Sequence, residues 1–293
     1  MMLSKEITVT EIGIIAQTKL AKETEASVMG ITSRGLFLLL PSGWVLFVSP
    51  DIYRGPLTLN YSAGPDDFSF LSSGLPARVY PDHIAIADQG LIIHTGQAAP
   101  WQAPSLPKSA LPLSQRKLKL ALVARQLLTR QPPSEFSVLI PVVLGFEEIN
   151  KAQGNPVYPL VKRLQQALRE GQLAAIADRL ETILGLGAGL TPSGDDLTAG
   201  ILLALTRWGH ILAPDIKIKT LAEDVVQRAY RKTTTLAANL IECASQGQAN
   251  ERLILALDGI LSGHADAPTC ADYLAGWGHT SGQDALAGMA LAM

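Results

Sequence analysis

The chain has 293 residues, 47% of them hydrophobic and 17% charged, and a net charge of −2. This length suits one large or two ordinary globular domains, and the near-neutral charge gives no electrostatic basis for binding nucleic acid or an anionic membrane surface. Two distant cysteines, Cys243 and Cys270, argue against a disulfide scaffold or a zinc knuckle. With neither a signal-peptide pattern nor a run of about 18 apolar residues, we expect a cytoplasmic protein.

The first hundred residues predict short β-strands separated by turns, which is typical of a small barrel or sandwich. We expect this β-rich domain to cover residues 1–103. The strands are predicted at 36–40 and 44–48 around the turn Pro41-Ser42-Gly43, at 84–86 and 91–93 around the turn Asp88-Gln89-Gly90, and after the turn Arg54-Gly55-Pro56.

A proline-rich stretch, residues 104–114, follows and predicts a linker, because prolines stop helices and remove backbone donors. From residue 115 the apolar residues recur with a helical period, so residues 115–293 predict a mostly α-helical domain and the whole chain an α+β protein. "FSVLIPVVLG", 136–145, fits either a buried strand or a helix. Helices are predicted around 120–128, 173–184, 197–208, 221–230, 236–243 and 253–261.

The stretch "LGLGAGLTPSGDDLTAG", 184–200, places glycines, hydroxyls and carboxylates directly before an apolar helix. One interpretation is purely structural: Ser193 is the N-cap of a capping box, and Asp195 and Asp196 occupy the first turn, where carboxylates favour the helix dipole. That interpretation leaves the glycines that precede the turn unexplained.

The other interpretation is a ligand site. Glycines at this spacing expose backbone N–H groups, a helix start adds more, and the hydroxyls are further donors. The paired aspartates repel a bare phosphate, so they fit better if they hold a cation or accept hydrogen bonds from an amide or carbamoyl group. The candidate binding residues here are Gly187, Gly189, Thr191, Ser193 and Gly194, with Asp195 and Asp196 as candidate catalytic residues.

A second copy of the motif lies near the C-terminus. "SGQDALAG", 281–288, matches 193–200 at an offset of 88 residues and shares its Ser, Gly, Asp, Ala and Gly positions. Because Gly200 and Gly288 would allow close helix packing, we infer that the two helix starts lie side by side and converge on one pocket. Candidate binding residues of this copy are Thr280, Ser281, Gly282 and Asp284, with His279 as an acid, a base or a donor.

Further candidates lie outside the two motif copies. "RKTTTLAANLI" places Arg231, Thr233 and Thr234 before a helix, where an ordinary cap with solvated basic residues is the alternative. Arg54 is a possible site residue or only part of a surface turn. The remaining histidines show no metal-ligand spacing, so no metal site is predicted from them. P-loop, GxGxxG, GxSxG and HExxH patterns are absent.

Together, "GLGAGLTPSGDDLTAG" and "GWGHTSGQDALAG" resemble the family of AllH-type subunits of oxamate carbamoyltransferase, as do "RGPLTLN" and "TTTLAANLI". The resemblance implies a subunit that assembles with FdrA-type and AllG-type partners in allantoin and purine degradation. The implied reaction converts oxalurate and phosphate to oxamate and carbamoyl phosphate, so the ligands are small anions. The resemblance carries over no residue-level roles.

These observations favour a carbamoyltransferase subunit with Asp195, Asp196 and His279 as catalytic residues. One alternative is a non-catalytic subunit that binds a small anion or assembles its partners. Another is a phosphoryl-transfer enzyme with Asp195 and Asp196 on Mg²⁺. No cofactor is otherwise expected, and neither nucleic acid nor a membrane is an expected partner.

Overall fold

The structure is a computed structural model that describes residues 5–62, 68–86 and 89–293. The chain divides into two compact units, Met1–Ala103 and Pro104–Met293. Asp88, the first residue of one predicted turn, lies outside the described residues. None of the helices in the described ranges is long and apolar enough to cross a lipid bilayer.

The first unit contains a β-barrel. In the described part of this unit, eight strands close in the order β5-β4-β3-β2-β6-β7-β8-β1, because β1 pairs with both β5 and β8, and β9 adds to β1 in parallel. One short helix, α1 (Ile14–Leu20), follows β1. The strands are β1 (Lys5–Gly13), β2 (Glu25–Thr32), β3 (Gly35–Leu39), β4 (Val45–Ser49), β5 (Thr58–Tyr61), β6 (Pro76–Val79), β7 (His83–Ile86), β8 (Leu91–His94) and β9 (Ala99–Trp101).

Both predicted hairpins are confirmed, since β3 pairs antiparallel with β4 and β7 with β8. Burial alternates along the strands, as in β7, where Ile84 and Ile86 are buried and their neighbours are half-exposed. Alternation of this kind fills a small barrel with side chains from every strand. The prediction of a barrel or sandwich therefore resolves to a barrel.

The second unit is helical, as predicted. The ambiguous stretch "FSVLIPVVLG" is a 3-10 turn, Ser137–Leu139, followed by a short helix rather than a strand. The α-helices of the second unit are α2 (Leu113–Leu128), α3 (Ile140–Val143), α4 (Tyr158–Glu170), α5 (Leu173–Glu181), α6 (Ser193–Leu212), α7 (Ile218–Lys232), α8 (Thr235–Ser245), α9 (Glu251–Ser262), α10 (Ala267–Ala275) and α11 (Ser281–Leu291).

The start of α2 lies inside the stretch predicted as a linker. Pro112 is its N-cap residue, with an extended ψ of 150°. Just before it, the backbone N–H of Leu111 donates to the carbonyl of Leu261 at the end of α9, at 2.7 Å. The last residues of the proline-rich stretch therefore pack as part of the helical unit.

Candidate functional site

The helices α6 and α11 cross in close contact at their glycines. A Cβ atom added at Gly200 would lie 2.1 Å from the carbonyl oxygen of Ala285, and one added at Gly288 would lie 2.0 Å from that of Leu197. Both contacts join positions that are equivalent in the two motif copies, so the crossing has an approximate two-fold symmetry. The predicted side-by-side packing of the two helices is confirmed.

The loops that lead into the two helices each contain a glycine that approaches the serine of its motif, six residues before Ser193 and three before Ser281. Gly187 and Gly278 have positive φ angles, 113° and 68°. A Cβ at Gly187 would lie 2.8 Å from the backbone nitrogen of Ser193, and one at Gly278 would lie 2.6 Å from Oγ of Ser281. Glycine is therefore required at both positions, by φ and by close approach to the serine that begins each helix.

The structural interpretation, in which Ser193 caps α6, is wrong. Pro192 is the N-cap residue, with φ −53° and ψ 146°, and its carbonyl accepts from the N–H groups of Asp195 and Asp196 at 2.9 and 3.2 Å. Proline fixes φ and has no N–H of its own, which suits it to this position, and the helix begins one residue earlier than that interpretation predicts, at Ser193 rather than Gly194. The Ser193 hydroxyl makes no capping hydrogen bond and is left to face the second motif copy.

The N–H groups of the first helical turns are mostly used within the protein. Gly194 N donates to the carbonyl of Leu186 at 2.9 Å, and Gly282 N donates to that of Trp277 at 3.0 Å. The exposed loop 187–190 differs: among the described residues, its backbone N–H groups have no hydrogen-bond acceptor. The loop 187–190 therefore offers several unused main-chain donors to an anion.

The second residue after each serine anchors a neighbouring segment. Both oxygens of buried Asp195 are used, Oδ1 by the N–H of Gly185 at 2.9 Å and Oδ2 by the hydroxyl of Thr233. Burial raises the pKa of Asp195, and the two donors lower it. At the equivalent position, Gln283 accepts from the Ser137 hydroxyl at 2.8 Å. These two side chains therefore join the starts of α6 and α11 to neighbouring segments by hydrogen bonds.

The third residue after each serine is a buried carboxyl group, and these two groups, Asp196 and Asp284, are here called the carboxyl pair. Asp196 is 5% exposed, and its Oδ2 has no hydrogen-bond partner among the described residues. Burial, with the nearby carboxyl groups of Asp284 and Asp195, raises the pKa of Asp196 to about 8 against the lowering effect of the Ser281 and Thr191 hydroxyls. Near neutral pH this carboxyl group holds its proton.

Asp284 is fully buried, and in the described chain neither of its carboxyl oxygens has a hydrogen-bond partner. Burial raises its pKa, as does the charge of Glu135, while the hydroxyls of Ser134, Ser193 and Thr280 lower it. These hydroxyls lie near enough to favour the ionised form, but none of them meets the geometry of a hydrogen bond to Asp284. A buried carboxyl group without a hydrogen-bond partner is rare in proteins and calls for an explanation, such as a bound ion or a catalytic role.

Each carboxyl group of the pair contacts the serine of the other motif copy. Asp196 faces Ser281 of α11, and Asp284 faces Ser193 of α6. Above them, Thr191 Oγ1 and Ser281 Oγ are 3.3 Å apart, and these hydroxyl-bearing residues are half-exposed. The arrangement is a layer of hydroxyl groups reached from solvent, with two carboxyl groups beneath it.

The remaining predicted residues lie at varying distances from this centre. Thr234 is the N-cap of α8, accepting from Ala237 N at 3.1 Å, so the ordinary-cap interpretation is confirmed there. Its hydroxyl also donates to the carbonyl of Leu190 in the exposed loop, at 2.6 Å. His279 and Arg231 are exposed, and in the described chain neither makes an ion pair with the carboxyl pair. Arg54 belongs to the barrel unit, where it pairs with Glu11 at 2.8 Å.

Sequence reasoning missed the segment 131–137. Its Ser134 and Ser137 contact Gln283, and Ser134 also faces Asp284. The segment carries no motif and is about 150 residues away in sequence, so no local pattern points to it. Among the described residues, no three His, Cys, Asp or Glu side chains are placed together to hold a metal ion.

Thr233→Val should destabilise the helical unit by about 1–3 kcal/mol, because the buried Asp195 would lose its hydroxyl donor. We expect a fall of several degrees in Tm, measured by circular dichroism. Thr235→Val is the matched control, since Thr235 is exposed at the start of α8. An equal fall in both variants would contradict the role given to Thr233.

The fold and site thus define an α+β protein with a duplicated Ser-Gly-x-Asp helix start around a carboxyl pair. Residues 183–293 match the model of a protein family described as oxamate carbamoyltransferase subunit AllH. The match confirms the resemblance for this segment, which contains both motif copies and "TTTLAANLI" but not "RGPLTLN". No solved structure matches the chain.

Proposed function

We propose that the chain is a subunit of an oxamate carbamoyltransferase-like complex and that the crossing of α6 and α11 forms its substrate site. The observation that carries the proposal is that both motif copies lie within the family-matched segment and come together around unpartnered buried carboxyl groups. The complex would contain FdrA-type and AllG-type subunits and act in the cytoplasm in allantoin and purine nitrogen catabolism.

The proposed reaction transfers a carbamoyl group from oxalurate to phosphate. A phosphate oxygen forms a bond to the carbamoyl carbon, and the bond from that carbon to the oxamate nitrogen breaks. The nitrogen takes a proton, which gives oxamate and carbamoyl phosphate. Because the attacked carbon passes through a state with charge on its oxygen, the reaction needs oriented reactants and oxyanion donors rather than a covalent nucleophile.

The chain offers such donors at one place. The hydroxyls of Thr191, Ser193 and Ser281 surround the entrance to the carboxyl pair, and the N–H groups of Gly187 and Gly189 lie in the loop beside it. We assign these groups to the carboxylate, phosphate and carbonyl oxygens of the substrates. Since Asp195 is fully engaged within the fold, the polar role first assigned to it passes to Asp196 and Asp284.

A second candidate function is a non-catalytic subunit that binds a small anion or assembles its partners. Two observations favour it: the first-turn N–H groups are used within the fold, and His279 is exposed rather than directed at the carboxyl pair. In that case the site would bind substrate-like anions without contributing to the rate.

The test is phosphorolysis of oxalurate by the complex reconstituted with its partner subunits. We expect Ser281→Ala to lower kcat/KM by about 100-fold, the usual effect of removing one oxyanion donor. Ser114→Ala, in an exposed position of α2, is the matched control. If the assembled Ser281→Ala complex had an unchanged kcat/KM, the non-catalytic function would be supported instead. If the wild-type complex had no transfer activity, the proposal would be refuted.

Calorimetry on the isolated chain separates binding from catalysis. Carbamoyl phosphate, oxamate and phosphate are titrated into the wild-type chain and into Ser193→Ala. Binding that Ser193→Ala weakens places the substrates at this site. Equal binding by both proteins would move the substrate site elsewhere.

A further inference from the structure

The carboxyl pair lacks the partners that would let both groups ionise. A buried ionised carboxylate costs several kcal/mol unless it is paired or hydrogen-bonded. Oδ2 of Asp196 and both oxygens of Asp284 have no such partner among the described residues, and no Lys or Arg in those ranges forms an ion pair with either group. The charged groups outside the pair that interact with them, Asp195 and Glu135, are themselves acidic.

We propose that a hard divalent cation of the Mg²⁺ class binds between Asp196 and Asp284 and bridges the starts of α6 and α11. Mg²⁺ takes oxygen ligands and is commonly held by one or two carboxylates, with waters and substrate oxygens completing its shell. Two carboxylates are therefore sufficient, and three protein side chains of the usual ligand types are not needed.

The surroundings of the pair suit such a cation. The side chains that shift the pKa values of Asp196 and Asp284 all bear a hydroxyl or a carboxyl group, so the described surroundings supply hard oxygen donors. The half-exposed hydroxyl layer of Thr191, Ser193 and Ser281 gives solvent access from above. A cation held in this way would join one carboxylate from each motif copy, which explains why the copies are crossed.

The same geometry favours Asp284 over the adjacent Asp195 as the partner of Asp196 in the metal pair. Both oxygens of Asp195 already accept hydrogen bonds, from Gly185 N and from the Thr233 hydroxyl. Asp284, 88 residues further along the chain, takes the place that the sequence motif suggested for Asp195. The metal pair is therefore formed between the two helices rather than within one of them.

A bound cation would also remove an electrostatic difficulty at the proposed substrate site. This one argument rests on the proposed function. Phosphate, oxalurate and both products are anions, and two carboxylates without a counter-charge would repel them. A divalent cation neutralises the carboxyl pair and offers open positions to phosphate or carbonyl oxygens.

Binding of Mn²⁺ to the full-length chain, without substrate, tests the site. Metal is removed with a chelator, Mn²⁺ is titrated, and free Mn²⁺ is followed by electron paramagnetic resonance with Mg²⁺ as competitor. We expect one Mn²⁺ per chain, displaced by Mg²⁺, and at least about tenfold weaker binding in Asp196→Asn and in Asp284→Asn, since each loses a charged ligand. Asp266→Asn, which changes an exposed cap of α10, should bind as the wild type does.

Either of two results would overturn the cation site: a wild-type chain that binds no Mn²⁺, or a double variant, Asp196→Asn with Asp284→Asn, that binds it unchanged. Both substitutions keep side-chain size, and circular dichroism shows whether each variant is folded. Carbamoyl transfer without Mn²⁺ binding would refute the cation site and leave the proposed function standing. Mn²⁺ binding without carbamoyl transfer by the complex would support the cation site and refute the proposed function.

Discussion

Gly200→Ala is expected to destabilise the helical unit by about 3 kcal/mol or more, which corresponds to a fall of roughly 10 °C in Tm. In an ordinary helix the same substitution stabilises by about 1 kcal/mol. Here the new methyl group would lie 2.1 Å from the carbonyl oxygen of Ala285, and a backbone oxygen cannot rotate away as a side chain does. The helices α6 and α11 would have to move apart.

Gly209→Ala is the matched control on the same helix. Its methyl group would meet Cδ1 of Ile218, the flexible end of a half-buried side chain, so a change of less than about 1 kcal/mol is expected. Thermal unfolding of both variants, followed at 222 nm by circular dichroism, is the measurement. If Gly200→Ala were as stable as Gly209→Ala, the close crossing of α6 and α11 would be wrong.

The second large effect is on the pH dependence of stability. Asp196 has a pKa of about 8 in the folded protein, against an ordinary value of 3.8. Between these values the folded state keeps the proton and the unfolded state releases it, so the free energy of unfolding falls as pH rises. The contribution is complete below 3.8, declines by about 1.4 kcal/mol per pH unit, and is lost above pH 8.

This prediction is checked by urea unfolding at several pH values in buffer containing a chelator. The wild type is compared with Asp196→Asn, which has no titrating group at this position, so effects common to both proteins cancel. The difference in free energy of unfolding should favour the wild type more at low pH than at high pH. A difference independent of pH would show that Asp196 is ionised in the folded state.

Each motif copy contains one polar side chain that is engaged within the fold and one that is not. Asp195 and Gln283 each anchor a neighbouring segment, whereas Asp196 and Asp284 face each other's motif with unpartnered oxygens. Adjacent residues in one motif therefore have different roles, and substitutions of Asp195 and Asp196 should not be interpreted as equivalent.

Much of this protein was determined by local sequence pattern. Alternating apolar residues around Pro41-Ser42-Gly43 predicted the β3–β4 hairpin, and a helical period predicted α6 and its neighbours. The repeated Ser-Gly-x-Asp motif and the glycines Gly200 and Gly288 predicted the contact between α6 and α11. These features depend on residues a few positions apart or on an internal repeat, and patterns of either kind can be read directly from the amino-acid sequence.

Only the tertiary structure decided what each polar group in the motif does. The side-chain donor to Asp195 comes from Thr233, 38 residues away, and the hydroxyl donor to Gln283 comes from Ser137, 146 residues away. Pro192 displaced Ser193 from the N-cap position, which left that hydroxyl facing Asp284. The state of a buried carboxyl group depends on which donors and charges surround it in space, and its position in the sequence does not contain that information.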